Sequence, residues 1–158
     1  MNIFILDIDT NNCAQYHIDK HCVKMILETT QLLNNAAIAH YPGYDPIYRQ
    51  THKNHPCSLW VCRSRANFDW LAQLGLALCK EYTFRYGKIH KCQAYIETLA
   101  AKTSRLTMPD DGLTQFALCM PEQYRVADPV ESYRRYYRSD KAYIAKWTKR
   151  PEPYWWRN

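Results

Sequence analysis

Hydrophobic and polar positions along this chain fall into helical repeats. From Asn11 to His40 the sequence reads NNCAQYHIDKHCVKMILETTQLLNNAAIAH. Val23, Ile26, Leu27, Thr30, Leu33 and Ala37 recur at steps of three and four, the spacing of one buried helical face. A second stripe of the same period has the opposite character: His17, His21, Lys24, Glu28, Gln31 and Asn35. Two imidazoles, an ammonium, a carboxylate and two amides therefore share one side of a single predicted helix. These are groups that grip or transform a polar ligand. Asp9 or Thr10 can cap the helix through a side-chain oxygen. Tyr41-Pro42-Gly43-Tyr44-Asp45-Pro46 ends it with turn residues.

The rest of the pattern continues in the same way. Ile3-Phe4-Ile5-Leu6 reads as one short strand or an extended buried arm. Residues 41–56 form a polar, aromatic loop, long enough to suggest a functional role. Asn54-His55-Pro56 opens a second helix, with proline tolerated in the first turn, that runs to about Tyr86 and ends on Gly87 as C-cap. Val61, Cys62, Ala66, Leu74, Ala77 and Leu78 are its core candidates. Trp60, Arg63, Asn67 and Trp70 make another mixed aromatic and polar stripe. A third helix spans roughly His90 to Ser104, and residues 105–128 are loop-rich with a short helical piece around Leu113–Leu118. Asp128-Pro129-Val130-Glu131 opens the last helix with a cap, a first-turn proline and a capping-box glutamate. The expected architecture is a compact single-domain all-α bundle over residues 1–158, with a basic, aromatic C-terminal segment at 133–158.

Composition adds a partner class. At 158 residues and 47% hydrophobic content the chain can bury a core. No apolar run approaches the roughly 20 residues that span a bilayer. The opening MNIFILDID carries acids where a signal peptide would carry bases, so a cytoplasmic protein with no membrane partner is expected. Seven cysteines without paired CxxC motifs fit reduced, buried thiols better than a disulfide framework. The unusual feature is 13 Tyr and 5 Trp beside a net charge of +6. From Tyr133 onward there are eight Lys/Arg against two acids, a surplus equal to the net charge of the whole chain. Rings and bases together suit a partner that offers flat rings and phosphates.

Several constellations are candidates for chemistry. His17 and His21, at i and i+4, can clasp a metal, but Ile18-Asp19-Lys20 between them lacks the glutamate base of the zinc-protease helix. His52, His55 and Cys57 lie on a loop whose position the sequence does not fix, so neither a metal nor a cofactor is expected. Lys24 and Glu28 form either a helix ion pair or an amine and a carboxylate working on one ligand. Arg63 and Arg65, beside Trp60 and Trp70, can clamp a phosphate and stack a base, with Asn67 on the same face. Residues 81–91 place three aromatics and four bases, His90 included, in eleven positions, with Arg85, Tyr86 and Lys88 among them. That density favours an edge facing a ligand or nucleic acid. The rings of the C-terminal segment (Tyr136, Tyr137, Tyr143, Trp147, Trp155 and Trp156) either grip a partner or pack the last helix on the body. Trp147 is counted among the candidate ligand contacts.

Four segments together carry a family likeness: MNIFILDIDTNNCAQYHIDKHCVKMILETTQLL, THKNHPCSLWVCRSRANFDWL, LCKEYTFRYGKIHK and YRRYYRSDKAYIAKWTKR. They resemble a group of small phage and bacterial proteins placed with the pyrimidine-dimer DNA glycosylases of bacteriophages. The likeness to the characterised glycosylases runs mainly through Ala14-Gln15-Tyr16-His17 and the helix that follows. The resemblance implies a compact all-α domain with its N-terminus threaded between helices. It also implies an N-terminal α-amine that attacks the sugar C1′ and forms an imine, an assisting carboxylate on the first helix, and strand cleavage by β-elimination. Asn2 is large enough to prevent removal of Met1, so the amine would be that of Met1. Counting from His17, the carboxylate position falls on Lys24, and Glu28 is the nearest acid on that face. Two readings stay open. One is a DNA glycosylase and lyase using Met1 or Lys24 as the amine and Glu28 as the carboxylate. The other is a non-catalytic binder of a nucleotide-like small molecule, such as a host immune signal. A homo-oligomer stays open in either.

Overall fold

The computed structural model describes residues 1–157. Among the described residues there are six α-helices and no strand: α1 (Thr10–Tyr16), α2 (Asp19–His40), α3 (Pro56–Val61), α4 (Arg65–Tyr86), α5 (Gln93–Ala100) and α6 (Pro129–Asp140). Short 3₁₀ turns sit at Thr103–Arg105, Glu122–Tyr124 and Ala142–Ile144. The all-α expectation holds. Helices α2 and α4 form the central pair, α1 packs on α4, and α5 lies across both central helices. Gly75 permits the close crossing, since a Cβ there would stand 2.8 Å from the Thr29 methyl. No helix among the described residues is long and apolar enough to cross a membrane.

Local signals set several boundaries. Asp9 caps α1 by accepting the Asn12 N–H at 2.8 Å. Gly87 closes α4 with φ of +65°, a conformation that costs glycine nothing. Asp128 caps α6 ahead of Pro129. Its Glu131 does not close a capping box and instead accepts from Arg135 and Arg138.

Both long helices expected from the sequence are broken. The first splits at His17-Ile18, which is extended. There the Arg85 guanidinium takes the Gln15 and His17 carbonyls at 2.9 and 2.8 Å, and the Trp147 indole N–H takes the Tyr16 carbonyl at 2.9 Å. Side chains from distant segments thus satisfy the carbonyls that the break releases. The second splits at Cys62-Arg63-Ser64, where the Ser64 hydroxyl caps α4 by accepting the Asn67 N–H. The helical turn expected at Leu113–Leu118 is also corrected. That stretch is irregular, its backbone held to Asn67 and Trp60 through Thr114.

The N-terminal residues 3–6 form a buried extended arm with no strand partner. The exposure of α2 departs from expectation only in part, since Ile26, Thr30, Leu33 and Ala37 are buried as predicted. Val23 and Leu27, predicted to be buried, are each 39% exposed, whereas His17, His21, Glu28 and Asn35 on the polar stripe are buried. Phe4 lies flat on the His21 ring at 4.4 Å and meets Tyr133 and Tyr137 of α6 edge-on. The arm is therefore sandwiched between the polar side of α2 and the aromatic side of α6.

Candidate active site at the N-terminal amine

The arm delivers the Met1 α-amine to Glu28. The amine nitrogen is 3.9 Å from Glu28 Oε2, and the Asn2 backbone N–H donates to the same oxygen at 2.8 Å. Lys24, one helical turn before Glu28, places its ammonium 3.3 Å from Oε1. The two candidate amines differ in setting. The Met1 side chain is 2% exposed and anchored, while that of Lys24 is 67% exposed. As a residue Met1 is half-buried, so its exposure lies at the backbone end that carries the amine.

Three contacts hold the arm in this register. The Asn2 side-chain amide donates to the Cys119 carbonyl at 3.0 Å. The Tyr133 hydroxyl, 2.9 Å from Asn2 Oδ1 and 2.8 Å from the Ala117 carbonyl, shares its proton between them and accepts the Cys119 N–H. The Ser58 hydroxyl points at the Met1 sulfur at 3.9 Å. Asn2, Ser58, Cys119 and Tyr133 carry no periodic signal that would have linked them, because each arrives from a different part of the chain.

His55 stands at the N-cap of α3, its Nδ1 accepting the Cys57 N–H. Burial lowers its pKa, and the Met1 amine and His52 lower it further against the opposing charge of Glu28. It is a neutral imidazole at neutral pH. Asn35 fixes the neighbouring loop, bonding both backbone groups of Thr51 and the Ser58 hydroxyl. Gln31 is half-buried on the same face of α2. His52 is exposed, in a left-handed conformation, and bonds Thr51.

Other candidate contacts serve the protein itself. His17 is fully buried, donates from Nδ1 to the Cys13 carbonyl, and has its pKa lowered to about 4 by burial. His21 shares a 2.6 Å hydrogen bond with the Tyr137 hydroxyl, and burial lowers its pKa to about 3. Both polar ends of Asn67 bind Thr114, and its amide also reaches the Trp60 carbonyl. Trp60 stacks on Phe116 in the core. Arg85 is buried between Glu81 and Asp19. Tyr86 bonds the Asp19 carbonyl, and the Trp147 ring is buried. Of the C-terminal rings, Tyr137, Trp147 and Trp155 are buried and Tyr143 is 82% exposed.

Two of the solvent-facing grooves carry candidate residues. Val23, Lys24, Leu27, Tyr48, Tyr82 and Ile89, with Lys88 and Lys91 at the rim, line one of about 720 Å³. Arg63 borders the other, of about 270 Å³, between α3 and Gln115. The first groove includes Lys24, which pairs with Glu28, but neither Glu28 nor Met1 lines it.

No curated protein and no solved structure matches this chain. The family model described as pyrimidine dimer DNA glycosylase matches residues 1–94, which hold the N-terminal arm, α2 with Glu28, and α4. With more than half of its length matched, and with an N-terminal amine set against a helix carboxylate, the chain belongs to the pyrimidine dimer DNA glycosylase family.

Proposed function

We propose that this protein is a DNA glycosylase and abasic-site lyase that works in the cytoplasm on damaged or modified pyrimidines through the Met1 amine. The observation that carries the reading is the approach of the Met1 amine to Glu28 at 3.9 Å, with the Asn2 N–H holding the same carboxylate oxygen. In the reaction the amine, freed of its proton, attacks C1′ of the nucleotide. The bond from C1′ to the base breaks, and the base leaves with a proton. Ring opening gives an imine between Met1 and C1′. Removal of a C2′ proton then expels the 3′ phosphate by β-elimination. Glu28 is the group placed to take these protons and to balance the cationic imine. Lys24 is a second cation at the carboxylate, and Lys88 and Lys91 at the groove rim offer phosphate contacts.

The test is borohydride trapping on duplex DNA containing an abasic site. A covalent adduct on the Met1 peptide is expected, lost when the α-amine is acetylated. Binding should weaken steeply with salt. An adduct carried by a lysine side chain would overturn the assignment of the amine. No adduct and no strand cleavage, together with a thermal shift from a small nucleotide, would favour sequestration of a nucleotide-like ligand.

A further inference from the structure

Beside the N-terminal arm lies a cluster that the imine chemistry does not use. Cys57, in the first turn of α3, and Cys119, in the segment leading to α6, hold their sulfurs 3.5 Å apart across 62 positions of sequence. A ring nitrogen of His55 completes the group, and the three ligand atoms all lie within 4.8 Å of one another. Cys57 is buried, while His55 and Cys119 are partly exposed, so the cluster is supported from inside and reachable from outside.

Two thiolates and an imidazole form the ligand set of a soft or borderline divalent ion. The spacing separates the two reactions open to a pair of thiols. Two sulfurs on one tetrahedral zinc, with bonds of about 2.3 Å, stand about 3.8 Å apart. The pair at 3.5 Å is therefore close to that spacing. A disulfide, at about 2.05 Å, would demand a much larger approach. Charge points the same way. A zinc ion with two thiolates is neutral as a unit, which suits a half-buried position, and the thiol protons leave to water as the metal enters.

We propose that His55, Cys57 and Cys119 form a zinc site that ties the segment before α6 to the start of α3 beside the N-terminal arm. Three protein ligands leave a fourth position for water. Because Asn2 hangs on the Cys119 carbonyl, a metal on Cys119 would also stiffen the register of the arm. The proposal does not depend on the glycosylase reading.

The test is titration of the full-length, reduced, metal-free protein with Co²⁺, followed by displacement with Zn²⁺. A thiolate charge-transfer band saturating at one ion per chain is expected. Cys57→Ser and Cys119→Ser should each weaken binding by more than the roughly 10–100-fold that loss of an outer-shell partner costs. Cys62→Ser, which alters a half-buried thiol outside the cluster, should leave it unchanged. A band that survives in both cysteine variants, or no band at all, overturns the proposal. A second readout covers variants that fail to fold. In the unaltered protein Zn²⁺ should slow alkylation of Cys57 and Cys119 selectively among the seven cysteines. Equal alkylation rates with and without Zn²⁺ would overturn the assignment.

Discussion

The Asn2 backbone N–H and Glu28 Oε2 are joined by a 2.8 Å hydrogen bond that closes 26 positions of chain. Neighbouring backbone therefore grips Glu28 independently of the Met1 amine. This separates positioning from charge at one residue, and the two can be tested apart.

Glu28→Gln keeps an oxygen for the Asn2 N–H but removes the negative charge. Borohydride trapping on abasic DNA should fall by about 100-fold or more, the usual worth of a positioned proton acceptor. The thermal melt should move little, because the arm keeps its bond. Equal trapping by both proteins would remove Glu28 from the chemistry.

Lys24 and Met1 offer competing amines at the same carboxylate. The Lys24 side chain is mostly exposed, so its pairing with Glu28 is worth less than about 1 kcal/mol. Lys24→Ala should trap abasic DNA at an undiminished rate while binding duplex DNA with a shallower salt dependence. Loss of trapping in this variant would transfer the nucleophile to Lys24.

Much of the fold is legible in the sequence, and the reasons are local. Asp9, Gly87 and Asp128-Pro129 act on their own segments, so the boundaries they mark are found where expected. The break at His17-Ile18 has no glycine or proline to announce it. Its causes are Arg85 and Trp147, which are far away in sequence. The polar stripe on α2 shows a similar division. Helical periodicity places His17, His21, Lys24 and Glu28 on one side, but it does not say what covers that side. The covering arm comes from residues 3–6 and replaces solvent with Phe4. Glu28 and Met1 were accessible through family likeness. Tyr133 and Cys119, which hold the arm, were not, since their roles exist only after the chain has folded back.

Arg85 is the buried junction of α1, α2 and α4. It donates to Glu81 at 2.7 Å, to Asp19 at 2.9 Å and to two carbonyls at the helix break. Arg85→Ala leaves these acceptors facing a void and should cost about 3–5 kcal/mol in urea unfolding. Arg85→Lys should recover part of that loss, because one ammonium cannot reach all four acceptors. A change within experimental error for Arg85→Ala would contradict the junction.

His17 and His21 make stability sensitive to acid. Their folded pKa values are lowered to about 4 and about 3, chiefly by burial, against 6.5 for an unhindered imidazole. Between pH 6.5 and those lower values the unfolded chain binds protons that the folded chain refuses. Stability therefore falls with acidification across this window, by up to about 1.4 kcal/mol per pH unit for each histidine. Above pH 6.5 both states hold neutral rings, and these two residues contribute no slope. Urea midpoints measured from pH 7.5 to 4.5 should show the decline, and His21→Gln should flatten it. An unchanged slope in that variant would assign the acid sensitivity elsewhere.

The tether on Asn2 crosses the limit of the family match. The match to the family stops at residue 94, yet Cys119 and Tyr133 hold the residue next to the amine. The half of the molecule that carries the Met1 amine and Glu28 thus borrows its alignment from the other half. A change at Cys119 or Tyr133 can therefore shift the Met1 amine relative to Glu28 while every residue within the match stays the same.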